Sequence, residues 1–100
     1  MTTSQQTELL IRVELFGLPR LRSGQRMVEL LLPAEVSLRD VAPALGQACP
    51  ALVAHTIRED LSGPAEGYLF NLNGTRFLTG EQVNLRPGDA LLLLSNQAGG

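Results

Sequence analysis

The sequence predicts an α+β fold, a mixed sheet of four to five strands with one main helix packed across it. Three observations carry the prediction. Two stretches of alternating polarity, residues 10–16 and 26–32, stand close together near the N-terminus, the spacing of an antiparallel hairpin. Over residues 38–49 the apolar period lengthens from two to about 3.6, as on one face of a helix. Strand-length apolar runs then return after residue 67 and end in Ala90-Leu91-Leu92-Leu93-Leu94.

Composition sets the frame for these elements. One hundred residues make one domain with a single modest core. A hydrophobic share of 44% against 18% charged is that of a globular chain, not a disordered one. A net charge of −2 and a pI near 5.2 exclude nucleic acid as the main partner. No apolar stretch approaches a membrane span, and the first basic residue is Arg12, so residues 1–8 lack a charged n-region. A cytoplasmic protein without a membrane partner is expected. Cys49 is the sole cysteine, which excludes an internal disulfide and a cysteine-ligated iron–sulfur cluster. All eight basic residues are arginine.

Residues 1–8 are polar and aperiodic and read as a flexible tail. Ile11, Val13 and Leu15 then share one strand face, and Arg12, Glu14 and Phe16 the other. Gly17-Leu18-Pro19 ends the strand, and Ser23-Gly24-Gln25 reads as the turn into a second one. There Val28, Leu30 and Leu32 point inward. Pro33-Ala34-Glu35 breaks it. The helix follows, with Leu38, Val41, Ala42, Leu45, Ala48 and Cys49 on its core face. Ser37 stands at its N-cap and Asp40 in its first turn, where the helix dipole favours a carboxylate. Pro43 removes an intrahelical bond, and a local irregularity is expected there. Residues 51–60 predict a further turn or two of helix around Leu52, Val53 and Ile57.

Residues 61–67 form a loop by composition. A strand over 68–72 places Phe70 and Leu72 inward. Asn73-Gly74 signals a type I′ hairpin turn, which needs positive φ at both central residues. A short strand at Arg76-Phe77-Leu78 follows, and 79–85 reads as irregular. Pro87-Gly88-Asp89 turns the chain into the last strand, 90–94. The domain thus covers 9–94, and 95–100 read as a flexible C-terminal tail ending in Gly99-Gly100.

No arrangement of these residues reads as an active site. His55 has no carboxylate or cysteine at metal-ligand spacing, so no metal is expected. Cys49 lies on the apolar helix face, as a buried small hydrophobe would. Asp40 is a helix-start residue and Asp89 a turn residue. Outward-facing apolar residues are more informative. With Leu91 and Leu93 inward, Leu92 and Leu94 face out, and the same parity turns Phe16 outward. These three are the candidate docking residues for a partner.

The order strand, strand, helix, strand, short strand, strand with a diglycine end resembles the ubiquitin-like β-grasp fold, and more narrowly the ThiS/MoaD family of sulfur-carrier proteins. The matching stretches are Arg12-Val13-Glu14-Leu15-Phe16-Gly17, Ser37-Leu38-Arg39-Asp40-Val41, Pro50-Ala51-Leu52, Leu72-Asn73-Gly74, Arg76-Phe77-Leu78, Pro87-Gly88-Asp89 and Ala98-Gly99-Gly100. They span residues 10–100 in the family's order. The sequence departs from the family at Pro43 and in the polar leader Ser95-Asn96-Gln97, where family tails often carry Pro-Pro-Val.

The resemblance implies that the chain has no catalytic residue and no stably bound cofactor of its own. A ubiquitin-activating-type adenylyltransferase would use ATP and magnesium to adenylate Gly100. A sulfur donor enzyme would convert it to a thiocarboxylate, and an acceptor such as the molybdopterin synthase large subunit would take the sulfur. Gly99 and Ala98 would thread the tail into those active sites, since a residue without Cβ passes a narrow channel. Of the family, the loop at 61–67 and Arg76-Phe77-Leu78 are most similar to the molybdopterin synthase small subunit. Carriers for cysteine, thiamine or another thio-metabolite stay open, as do a ubiquitin-like modifier conjugated through Gly100 and a β-grasp module with an inert tail.

Overall fold

The structure, a computed structural model, describes residues 8–33, 35–78 and 82–95. Its first strand, β1 (Glu8–Leu15), begins two residues earlier and ends one residue earlier than the alternation suggested. Ile11, Val13 and Leu15 are 0–1% exposed on its inner face. A six-residue helix, α1 (Leu18–Ser23), follows where the sequence had suggested only a strand end and a turn. The punctuation for it is present: Pro19 lies in its first turn and Gly24 ends it at φ 71°, both favoured positions. Leu18 and Leu21 stay 53% and 77% exposed, so α1 has no apolar stripe by which periodicity could reveal it.

Strand β2 (Met27–Pro33) runs antiparallel to β1, with Ile11 opposite Leu30. A short strand, β3 (Glu35–Ser37), leads directly into the main helix, α2 (Leu38–Ala48). Val41, Ala42, Leu45 and Cys49 are buried beneath the sheet, and α2 packs on β2. Ala48 is exposed rather than in the core, because it falls at the edge of the apolar stripe where the helix ends. The irregularity expected at Pro43 does not interrupt the element: α2 is continuous through it. Burial of a large apolar side chain is worth about 1.5–3 kcal/mol. Side chains buried on both sides of Pro43 together offset the roughly 3 kcal/mol that an interior proline costs.

After α2 the chain makes a 3₁₀ turn, Pro50–Leu52, and no α-helix forms over 51–60. Val53 and Ile57 instead make a parallel bridge, and Ile57 a second bridge to Pro64. Leu52 and Ile57, both 0% exposed, are pinned to the core by this compact loop. Gly46 is the close approach that admits it, since a Cβ there would stand 2.9 Å from Leu61 and 3.2 Å from Val53.

The remaining strands are β4 (Tyr68–Leu72), β5 (Arg76–Leu78), β6 (Gln82–Asn84) and β7 (Ala90–Ser95). Phe70 is fully buried and Leu72 only half-buried. Asn73 and Gly74 take φ 57° and 75°, the pair of positive angles that a type I′ turn needs. β6 lies within the segment read as irregular and pairs antiparallel with β3 in a two-stranded sheet. The main sheet has five strands in the order β2-β1-β7-β4-β5. β7 is parallel to β1 and antiparallel to β4, so the last strand occupies the centre of the sheet.

Candidate functional site

The face of the main sheet turned away from α2 carries the candidate docking residues. On β7, Leu91 and Leu93 are 0% exposed in the core, and Leu92 and Leu94 take the opposite face by alternation. Neither of these is freely exposed. Both are half-buried, because a central strand is flanked on both sides: Leu92 stands between Glu14 and Asn71, and Leu94 opposite Leu69. Phe16 lies one residue past the Leu15–Leu93 pair, at the level of Leu94, and is 40% exposed. The structure therefore places Phe16, Leu92 and Leu94 at one end of one face.

The register extends this group into a row crossing all five strands, Met27–Glu14–Leu92–Asn71–Phe77. Its outer members, Met27 and Phe77, are 39% and 51% exposed. Met27, Leu69 and Phe77 are face residues that sequence reasoning missed. For Leu69 and Phe77 the signal was available, since Phe70 and Leu78 inward turn their neighbours outward. Asn71 is the unexpected member. It is only 5% exposed, and its Oδ1 has no hydrogen-bond partner among the described residues. At the other end of the same face, Leu10 and Leu31 pair directly across β1 and β2 and are 54% and 63% exposed.

Ser95, the last described residue, is exposed at the end of β7 and pairs with Tyr68. Ala98, Gly99 and Gly100 lie outside the described residues. The strand that carries Leu92 and Leu94 is thus the one that leads into them. Among the described residues no group of three or more His, Cys, Asp or Glu side chains could hold a metal ion. Cys49 is a free, buried thiol, and His55 is exposed on the loop after the 3₁₀ turn. No helix among the described residues is long and apolar enough to cross a membrane.

Comparison with solved structures identifies the fold. The chain is similar to the crystal structure of SAMP1 from Haloferax volcanii, with a TM-score of 0.72 and 25% identity, covering 91% of this chain and 99% of that one. A crystal structure of H. volcanii small archaeal modifier protein 1 matches at TM-score 0.69 and 25% identity, covering 85% and 94% of the two chains. The solution structure of the Haloferax volcanii HVO 2177 protein shares the fold at TM-score 0.71 and 23% identity, over 98% and 92%. No protein-family model and no curated protein matches the sequence. The fold is the ubiquitin-like β-grasp, α+β with a mixed five-stranded sheet and one main helix.

Proposed function

We propose that the chain is a ubiquitin-like carrier whose Gly100 is adenylated by an activating enzyme and converted to a thiocarboxylate that donates sulfur, in molybdopterin synthesis. The observation that carries this reading is the layout of β7. One strand bears the half-buried Leu92 and Leu94 on the open face of the sheet and continues toward Ala98-Gly99-Gly100. A partner gripping that face would find the tail leaving beside it.

The chemistry follows from the carboxylate. A C-terminal carboxyl has a pKa of about 3.5, so at neutral pH it is ionised and a poor electrophile. Condensation with ATP, releasing pyrophosphate, turns it into an acyl adenylate from which a sulfur nucleophile displaces AMP. The active site, the ATP and its magnesium belong to the partner. The five residues after Ser95 span at most about 17 Å when extended, enough to enter such a site while the sheet face stays docked.

A modifier joined through Gly100 to amines on other proteins is the second reading, favoured by the likeness to small archaeal modifier protein 1. Without a single lysine, the chain offers no side-chain amine for building chains on itself. Both readings use the same activation, and one experiment tests them together. Adenylate formation with the host's activating-type enzyme is measured for the chain ending in Gly100 and for one tagged after Gly100. Activity restricted to the free end is expected, and equal activity in both ends both readings. Sulfur in place of oxygen in the intact mass then marks the carrier, and a ladder of conjugates in cell lysate marks the modifier.

A further inference from the structure

At the corner where β1 passes through α1 into β2 lies a pocket of about 220 Å³, lined by Glu14, Leu15, Phe16, Arg20, Arg26 and Met27. The backbone builds it. Leu15 N–H donates to Arg26 O at 2.9 Å, tying together the two ends of the excursion that contains α1. Gly17 and Gly24, both with positive φ, turn the chain into and out of that helix. Met27 stands opposite Glu14 across the ladder, so the pocket opens beside the docking face and shares Phe16 with it.

Three of the chain's eight basic residues, Arg20, Arg22 and Arg26, fall within seven positions that contain no acid. Among the described residues none of the three has an ion-pair partner. Two guanidinium groups therefore line a partly apolar pocket with one carboxylate, Glu14, on an otherwise acidic chain.

We propose that this pocket receives a carboxylate side chain of the activating partner, a charged anchor next to the apolar one; the inference rests on the proposed activation. Its volume lies below the roughly 300–1,000 Å³ of small-molecule sites and suits a single side chain. A planar guanidinium binds a carboxylate through two parallel hydrogen bonds and also lies flat on an aromatic ring such as Phe16. The phosphate of the acyl adenylate is not the occupant. It forms at Gly100, inside the partner's active site, while the partner covers this corner from outside. An acid seated here would fix the register of the sheet face against the partner and speed their encounter.

The test uses the full chain and the purified activating-type enzyme, measuring dissociation constant and adenylate formation at low and high sodium chloride. Wild type is compared with Arg20→Ala/Arg26→Ala and Arg20→Lys/Arg26→Lys. The alanine pair is expected to weaken binding about tenfold or more and to flatten its salt dependence, with an unchanged melting temperature because both side chains are exposed. The lysine pair should keep the salt dependence and lose part of the affinity. Wild-type affinity and salt slope in the alanine pair would overturn the proposal while adenylation by wild type left the proposed function standing. Faster adenylation in the alanine pair would also overturn it, by showing that the arginines hold the chain's own terminal carboxylate. Absence of adenylate from wild type removes the proposed function and this anchor with it.

Discussion

Asn73 and Asp89, sixteen residues apart, are joined by a hydrogen bond of 3.0 Å from Asn73 Nδ2 to Asp89 Oδ1. Each also serves its neighbour's backbone. Arg86 N–H donates to Asp89 Oδ2 at 2.8 Å, and Ala90 N–H donates to Asn73 Oδ1 at 2.8 Å. Asn73 N–H returns a bond to Ala90 O at 2.8 Å. The Asn73-Gly74 turn and the Pro87-Gly88-Asp89 turn are thus clasped where β7 begins, which sets the start of the strand that bears Leu92 and Leu94.

Breaking this clasp should cost stability in a coupled way. Asn73→Ala removes the bonds and leaves a Cβ residue at φ 57°, whereas Asn73→Gly removes only the bonds. Alanine is therefore expected to be the worse of the two. Asp89→Ala should destabilise by about 1–3 kcal/mol, as an unmade bond to a charged group does. A double-mutant cycle with Asn73→Gly and Asp89→Ala, read by urea denaturation, should show a coupling of at least about 0.5 kcal/mol. Strict additivity would mean the two turns stand independently.

Core and face should separate cleanly. Leu45→Ala and Leu91→Ala remove side chains that are 0% exposed and should each cost roughly 2–5 kcal/mol. Phe16→Asp and Phe77→Asp replace exposed rings and should leave the melting temperature nearly unchanged, with Phe16→Asp weakening binding to the activating enzyme. For the half-buried Leu94, alanine is the cleaner probe, since an aspartate there would also be partly desolvated. A Phe16→Asp protein that is folded and binds with wild-type affinity would remove the docking assignment.

Thr56 is expected to tolerate loss of its hydroxyl. It is 1% exposed and its hydroxyl has no hydrogen-bond partner among the described residues. Valine keeps the branched shape and removes a buried polar atom whose lost hydration costs about 1–3 kcal/mol. Thr56→Val should therefore hold or raise the thermal midpoint. A clear drop would reveal a partner for the hydroxyl.

Asp60 should titrate low. Hydrogen bonding from the Ser62 side chain, then from its backbone N–H at 3.0 Å, holds the carboxyl below its ordinary 3.8. The carboxylate form is the one favoured in the folded state. Its contribution is therefore present above the unfolded value and is lost as pH falls through the lowered folded one. An NMR titration of the Asp60 side chain should place its midpoint below 3.8, and Ser62→Ala should move it back up. A midpoint at or above the ordinary value would mean the Ser62 contact is not made in solution.

Most of the secondary structure was legible in the sequence, because it follows from interactions a few residues in range. Period-two alternation put Ile11, Val13 and Leu15 inward. The period of about 3.6 placed Val41, Ala42 and Leu45 on the buried face of α2, and Cys49 just past its end on the same side. Backbone sterics alone made Asn73-Gly74 a turn. Ala48, α1 and the loop over 51–60 were misread where those local signals are weakest, in a helix end, a helix without an apolar stripe and a segment held by isolated bridges.

What only the tertiary structure decided is which surfaces meet. Apolar pattern states that a side chain prefers burial but not against what, so three residues at 35–37 gave no sign of pairing with 82–84. Leu92 and Leu94 looked open because alternation cannot count the strands on either side. A central position between β1 and β4 half-covers them. Asn71 and Thr56 read as ordinary polar positions, yet both lie buried, since burial is set by neighbours distant in the chain. The clasp between Asn73 and Asp89 has the same origin. Each residue was already a good turn former by itself, and only the sheet brought the two side chains within bonding distance.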